Sequence, residues 1–128
     1  MIVLDTHAWL FWRGDPARVG PAALAAIGSA DEVAVSAISA WEVSTLARRG
    51  RIGLDSDPAR CVRRALVGAR TVELPVTAAV AAAAGSLENG FPGDPADRII
   101  YATAVTASAS LVTRDRAIAG YDPRRAVW

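Results

Sequence analysis

Five acidic residues stand at positions where carboxylates could work together. Asp5 closes the short apolar run that opens the chain. Glu42 ends the tetrapeptide Ser39-Ala-Trp-Glu42. Asp94 and Asp97 sit three apart in Gly93-Asp-Pro-Ala-Asp97, and Asp115 follows Leu111-Val-Thr-Arg114. Each has a plain local reading. Asp5, Asp94 and Asp115 can cap helices. Asp97 suits a first helical turn, where the dipole favours negative charge, and Glu42 matches the reciprocal half of a Ser-x-x-Glu capping box. Taken together they read differently. Two bare carboxylates ~5 Å apart repel by about 3 kcal/mol at an effective dielectric near 20. Several such pairs on one rim require protonation or a cation. Oxygen-only ligands with open positions suit Mg²⁺ or Mn²⁺ rather than zinc. Such an ion activates water and neutralises charge on a phosphoryl oxygen, which is the chemistry of phosphodiester hydrolysis.

The composition narrows the alternatives. His7 is the only histidine and Cys61 the only cysteine. That excludes multi-His zinc sites, thiolate clusters and internal disulfides, and it argues against a Ser-His-Asp hydrolase. Cys61 reads as a small packed residue. All 14 basic residues are arginine. A lysine-dependent receiver or haloacid-dehalogenase-type phosphatase is therefore a poor match, although both place acids at a similar rim. Arginine suits phosphate recognition, and Arg98 and Arg114 adjoin two of the acids as candidate substrate-binding residues. The opening MIVLD has no basic leader-like region, and the longest apolar run is too short to span a bilayer. A soluble cytoplasmic protein without a membrane segment is the expectation.

The elements that must carry these acids follow from periodicity and punctuation. Strands are expected at 1–5, 33–36, 71–74, 111–113 and 126–128. Helices are expected at Thr6 to Trp12; around Leu24 and Ile27; and behind Ser39, stopping at Gly50. A further helix follows the Asp57-Pro58 start, with Val62, Ala65, Leu66 and Ala69 as its core face. Another is capped by Thr77, with Val80, Ala84 and Leu87 on one side, and the next opens at Asp94-Pro95. Trp9, Phe11 and Trp12 exceed what one short core helix needs; packing is the expected role for most of them, and some are expected to face a partner or a groove. Alternating strands and helices over 128 residues predict one α/β domain spanning residues 1–128. Its form is a three-layer sandwich with a mostly parallel central sheet. In such a sheet ligands bind at the carboxyl ends of the strands, the rim where Asp5, Glu42, Asp97 and Asp115 are delivered.

The ordered motifs Met1-Ile-Val-Leu-Asp5-Thr-His7, Ser39-Ala-Trp-Glu42, Asp94-Pro-Ala-Asp97-Arg-Ile-Ile-Tyr-Ala-Thr-Ala104 and Leu111-Val-Thr-Arg-Asp115 resemble those of PIN-domain nucleases. Within these they resemble the VapC toxins of type II toxin–antitoxin pairs. The resemblance implies a PIN-like fold and an endoribonuclease dependent on Mg²⁺ or Mn²⁺. It also implies a homodimer and inhibition by a cognate VapB-like antitoxin. By position, Asp5, Glu42, Asp97 and Asp115 match the family's catalytic quartet, with Asp5 and Asp97 as chief metal ligands. Glu42 would assist through metal or water, and Asp115 would complete the pocket. Thr6 and Thr113 would orient carboxylates. The Arg-Ile-Ile-Tyr-Ala-Thr-Ala run after Asp97 assigns that residue to the quartet and leaves Asp94 as cap or auxiliary acid. The alternative is a catalytically silent PIN-like module that binds RNA or protein.

Overall fold

A computed structural model describes residues 1–68 and 70–128. Five strands form its centre: β1 (Ile2–Leu4), β2 (Val33–Ser36), β3 (Thr71–Leu74), β4 (Ser110–Val112) and β5 (Ala126–Val127). They lie in the order β3-β2-β1-β4-β5, and every pairing is parallel. The helices are α1 (Thr6–Gly14), α2 (Pro21–Ser29), α3 (Ile38–Arg48), α4 (Pro58–Leu66), α5 (Ala78–Gly85), α6 (Pro95–Thr106) and α7 (Arg116–Tyr121). A short 3₁₀ turn, Pro16–Arg18, lies between α1 and α2.

The period of two along a strand sorts the core into two layers. Ile2 and Leu4 of β1, with Val33 and Val35 of β2, face a cluster containing Trp9, Phe11, Ala23, Ile27 and Val43. Val3 and Ala34 face the opposite way, onto Phe91, Ile100, Tyr101, Ala104 and Ile118. The first layer is thus built by α1, α2 and α3, and the second by α6 and α7. α5 rests on α6 through Val80, Ala84 and Ala102. This is the three-layer α/β sandwich with a parallel sheet that the alternation of elements predicts. Strands buried on both faces are apolar at nearly every position, as parallel strands are.

Local rules account for most helix starts. The side chains of Asp5, Asp57, Thr77, Asp94 and Asp115 each accept backbone N–H groups in the first turn of the following helix. α2 and α3 start without a side-chain cap: α2 follows Gly20 with Pro21 at its first position, and α3 departs from the sequence expectation. The N-cap of α3 is Ala37, and Ser39 lies inside the helix, fully buried. The Ser39–Glu42 capping box expected from sequence does not form. The chain turns helical two residues earlier, directly off β2, and the Ser39 hydroxyl is drawn to α1 instead. At the other end α3 closes as expected, with Gly50 at φ +67°, a conformation glycine adopts without penalty.

Other expectations shift in detail. In α2 the buried pair is Ala23 and Ile27, while Leu24 is exposed. Leu87 lies beyond the end of α5. In α4, Val62, Ala65 and Leu66 are only partly buried against the first layer, and Ala69 lies outside the described residues. Cys61 is not simply packed, since its Sγ lies 3.1 Å from Ser56 Oγ and 3.3 Å from Asp55 Oδ1. Among the described residues no helix is long and apolar enough to cross a membrane.

Candidate active site

The sheet order sets the location. From β1 the chain winds outward through β2 to β3, then returns to place β4 on the other side of β1. Beyond the carboxyl ends of β1 and β4 the connections diverge, which opens the crevice where ligands bind in such sheets. Asp5 follows β1 and Asp115 follows β4 by three residues, so neighbouring strands deliver both. Glu42 arrives on the second turn of α3, which leaves β2, and Asp97 on the first turn of α6.

Asp5 is almost fully buried. Its backbone N–H donates to the Val112 carbonyl at 3.0 Å, and its Oδ1 accepts the Ala8 N–H at 2.6 Å. Burial pushes its carboxyl above the ordinary range. The Ala8 N–H, the Thr113 hydroxyl and the charge of His7 act against that rise, and the charge of Asp115 adds to it. Asp115 caps α7 through Oδ1, which accepts the N–H groups of Ala117 (2.7 Å) and Ile118 (3.1 Å). Its own N–H donates to Thr113 Oγ1 at 3.0 Å. Thr113 therefore touches both acids.

Asp97 is half-buried, and its carboxyl is pushed up to about 7. Burial is the largest cause, followed by the charges of Asp94, Glu42, Asp115 and Asp5. All five acids singled out from sequence thus share one field, centred on Asp97. Among the described residues no donor reaches the Asp97 carboxylate, and the two ion pairs, Arg64–Asp55 and Arg125–Asp122, lie elsewhere. Arginine is abundant in the chain, yet among the described residues none is paired with these acids.

Such a set of oxygen donors, carrying uncompensated negative charge, fits a divalent cation chemically. The acids are gathered but spread out. Among the described residues no three of them stand close enough to form a ready-made cage.

Glu42 is held from α1. Thr6 Oγ1 lies 2.6 Å from Glu42 Oε2 and 2.9 Å from Ser39 Oγ. Sequence alone placed Thr6 beside a carboxylate but missed Ser39, because its spacing to Glu42 advertised a helix cap. The two arginines fare differently. Arg98 donates to the carbonyls of Ala84 (3.1 Å), Leu87 (2.5 Å) and Pro92 (3.4 Å), so its guanidinium braces the end of α5 and the loop after it. A substrate-binding role for Arg98 is corrected on that ground. Arg114 is exposed, with its guanidinium 5.4 Å from the centre of the Phe11 ring.

Beside the acids runs a groove of about 790 Å³ between α1 and the α3–α4 pair. Its walls include Leu10, Val43, Leu46 and Val62, and Arg13, Arg18, Arg51 and Arg114 border it. Trp9 and Phe11 reach this groove but are buried core residues. The surplus of aromatics in α1 is therefore mostly packing.

Comparison with known proteins follows the same lines. The model of the PIN domain family matches residues 2–122. Ribonuclease VapC22 of Mycobacterium tuberculosis is 42% identical over 126 residues, covering 98% of this chain and 95% of that protein. A toxin–antitoxin complex from Klebsiella pneumoniae contains a chain that is 21% identical, with a TM-score of 0.69, over 100% of this chain and 97% of that one. FitAcB from Neisseria gonorrhoeae is 25% identical, with a TM-score of 0.57, over 90% and 88%.

Proposed function

Because this chain belongs to the PIN-domain family and, within it, to the VapC ribonucleases, we propose that it is the toxin of a toxin–antitoxin pair. In this reading residues 1–128 form one nuclease domain that hydrolyses RNA phosphodiesters internally in the cytoplasm. What supports it most is the gathering of Asp5, Glu42, Asp94 and Asp115 around the half-buried Asp97 carboxylate, with no arginine among the described residues paired to them.

Asp5 and Asp97 would hold Mg²⁺ or Mn²⁺, and Asp115 would complete the pocket. When bound, such an ion lowers the pKa of a water and offsets charge on the phosphoryl oxygen. The protein's own groups do the rest. Asp5 is fixed by the Ala8 N–H, so it offers a preset oxygen. Asp97 has no protein donor to give up. Glu42, held by Thr6, faces the same pocket and can orient a water or accept its proton. Thr113 orients Asp5 and Asp115 together, and Asp94 serves α6 as its cap. Arg114, exposed at the rim, is placed to meet an RNA phosphate.

A VapB-like antitoxin is the partner this reading calls for, and the protein acts as a homodimer. The complex from Klebsiella pneumoniae is a toxin–antitoxin assembly built on the same fold.

The decisive experiment incubates purified protein with a panel of labelled RNAs. Cleavage is expected with Mg²⁺ or Mn²⁺ and none with EDTA. Asp97→Asn should lose at least ~100-fold in rate while melting as a folded protein. Undiminished cleavage by Asp97→Asn would refute the assignment. Binding of RNA without cleavage under any divalent ion would identify a silent module.

A further inference from the structure

Several arginines are spent on structure. Arg64 and Arg125 pair with Asp55 and Asp122. Arg70 donates to the carbonyls of Ile27, Gly28 and Ala30, and Arg98 braces the end of α5. Arg18 and Arg114 are different. Both are exposed, both border the groove, and among the described residues neither forms an ion pair. One comes from the 3₁₀ turn Pro16–Arg18 and the other from the loop after β4, yet they meet over one ring. The guanidinium carbon of Arg18 lies 3.9 Å from the centre of the Phe11 ring, and that of Arg114 lies 5.4 Å from it.

Phe11 is a fixed floor for both. Its ring is buried, with the Trp128 ring edge-on at 6.5 Å. The face of an aromatic ring attracts a cation, and that contact uses none of the guanidinium N–H donors. Two positive charges within roughly 9 Å of each other repel, and the same spacing favours one anion shared between them. A phosphate gripped from both sides through charge-assisted N–H···O bonds needs guanidinium carbons about 8 Å apart.

We propose that Arg18 and Arg114 form one two-pronged seat, floored by Phe11, for a single phosphodiester of the RNA strand beside the one that is cut. That the anion is RNA rests on the nuclease reading. Location supports it. Arg114 directly precedes Asp115, and Phe11 lies about 9 Å along α1 from Asp5. The seat is therefore beside the acids rather than among them. Two guanidinium groups already laid on one ring also lose less freedom when the phosphate arrives.

The test measures binding of a labelled single-stranded RNA of mixed sequence across a series of salt concentrations. Asp97→Asn protein is used so that cleavage does not intervene. Arg18→Ala and Arg114→Ala should each make the plot of log K against log salt shallower by about 0.7, the loss of one phosphate contact. Because both serve the same phosphate, the double variant should also lose about 0.7 rather than about 1.4. A loss of about 1.4 would mean two separate phosphates and would overturn the shared seat. An unchanged slope in Arg18→Ala would overturn it too, and would leave that arginine to an acidic protein segment. Should Arg18→Ala fail to fold, Arg18→Gln keeps most of the apolar stem without the charge and gives the same readings.

Kinetics separate the seat from the nuclease reading. In otherwise wild-type protein, Arg18→Ala should raise KM about 5-fold with kcat changed less than about 2-fold. A fall in kcat with KM unmoved would contradict a seat beside the cut. If wild-type protein cleaves no RNA while the slopes behave as expected, the nuclease reading fails and the seat stands. If it cleaves RNA and neither substitution moves the slope, the seat fails and the nuclease reading stands.

Discussion

Asp94 Oδ1 accepts the backbone N–H of Asp97 at 3.3 Å, so the two acids of the Asp-Pro-Ala-Asp turn do opposite work. Asp94 is exposed and spent on capping, while Asp97 is half-buried with an uncommitted carboxylate. Their substitutions should therefore shift stability in opposite directions. Asp94→Ala should cost roughly 1 kcal/mol through the lost cap, read most cleanly at about pH 5, where Asp97 is protonated. Asp97→Asn should raise Tm at about pH 8 in EDTA, because a repelled charge is removed, and change little at about pH 5. A lower Tm for Asp97→Asn at the higher pH would contradict the electrostatic account.

The same charge crowding predicts a pH dependence of the wild-type fold. The folded-state pKa of Asp97 lies at about 7 against an ordinary 3.8. Between those values the folded protein binds more protons than the unfolded chain, so stability falls as pH rises through that window and levels off above it. Burial of Asp5 works in the same direction. Differential scanning fluorimetry in EDTA should show the decline. Added Mg²⁺ or Mn²⁺ should restore Tm at about pH 8 and have little effect at about pH 5, where protons already neutralise the site. A metal-induced rise of equal size at both values would count against binding at these acids.

Arg98 and Arg114, alike in sequence context, should separate in experiment. Arg98→Ala strips donors from the Ala84, Leu87 and Pro92 carbonyls and should cost about 1.5–3 kcal/mol, without altering the affinity of the folded protein for RNA. Arg114→Ala should leave Tm unchanged but weaken RNA binding. The slope of log K against log salt should become shallower by about 0.7, as for one lost phosphate contact on a single strand. Urea melts and salt-titrated binding assays on both variants would show whether the roles are exchanged.

Gly20 carries a prediction about the fold alone. A Cβ there would stand 2.6 Å from the backbone carbon of Trp128 and 2.9 Å from its indole Cδ1. The backbone contact cannot be relieved by a rotamer change. Gly20→Ala should therefore destabilise by about 1–3 kcal/mol. Denaturant unfolding would detect it, and a neutral result would mean that the carboxyl end of the chain is free to move aside.

The order of strands and helices, their parallel pairing and most helix starts were legible in the sequence because each is governed by neighbours in the chain. Apolar runs too short for helices, Asp-Pro starts and the Gly50 stop carry their meaning locally. So do the positions of the acids at strand ends and first turns, and all five fall in one field in the folded protein. The failures share one cause. Ser39–Glu42 has a spacing that fits a cap, but the fold offers Ser39 a better partner on α1, thirty-three residues away. Arg98 looks like a free cation beside an acid until α5 and its loop bring three carbonyls to it.

The sequence by itself thus determined which groups are available: carboxylates without lysine, one histidine, one cysteine, and a βα rhythm that carries those carboxylates to a common edge. Tertiary structure alone decided what each group is committed to. Hydroxyl, guanidinium and carboxylate are all satisfied by whichever complementary atom comes within about 3 Å, and for Ser39, Thr6 and Arg98 that atom belongs to a distant segment, whose approach only the packing of helices on the sheet can set.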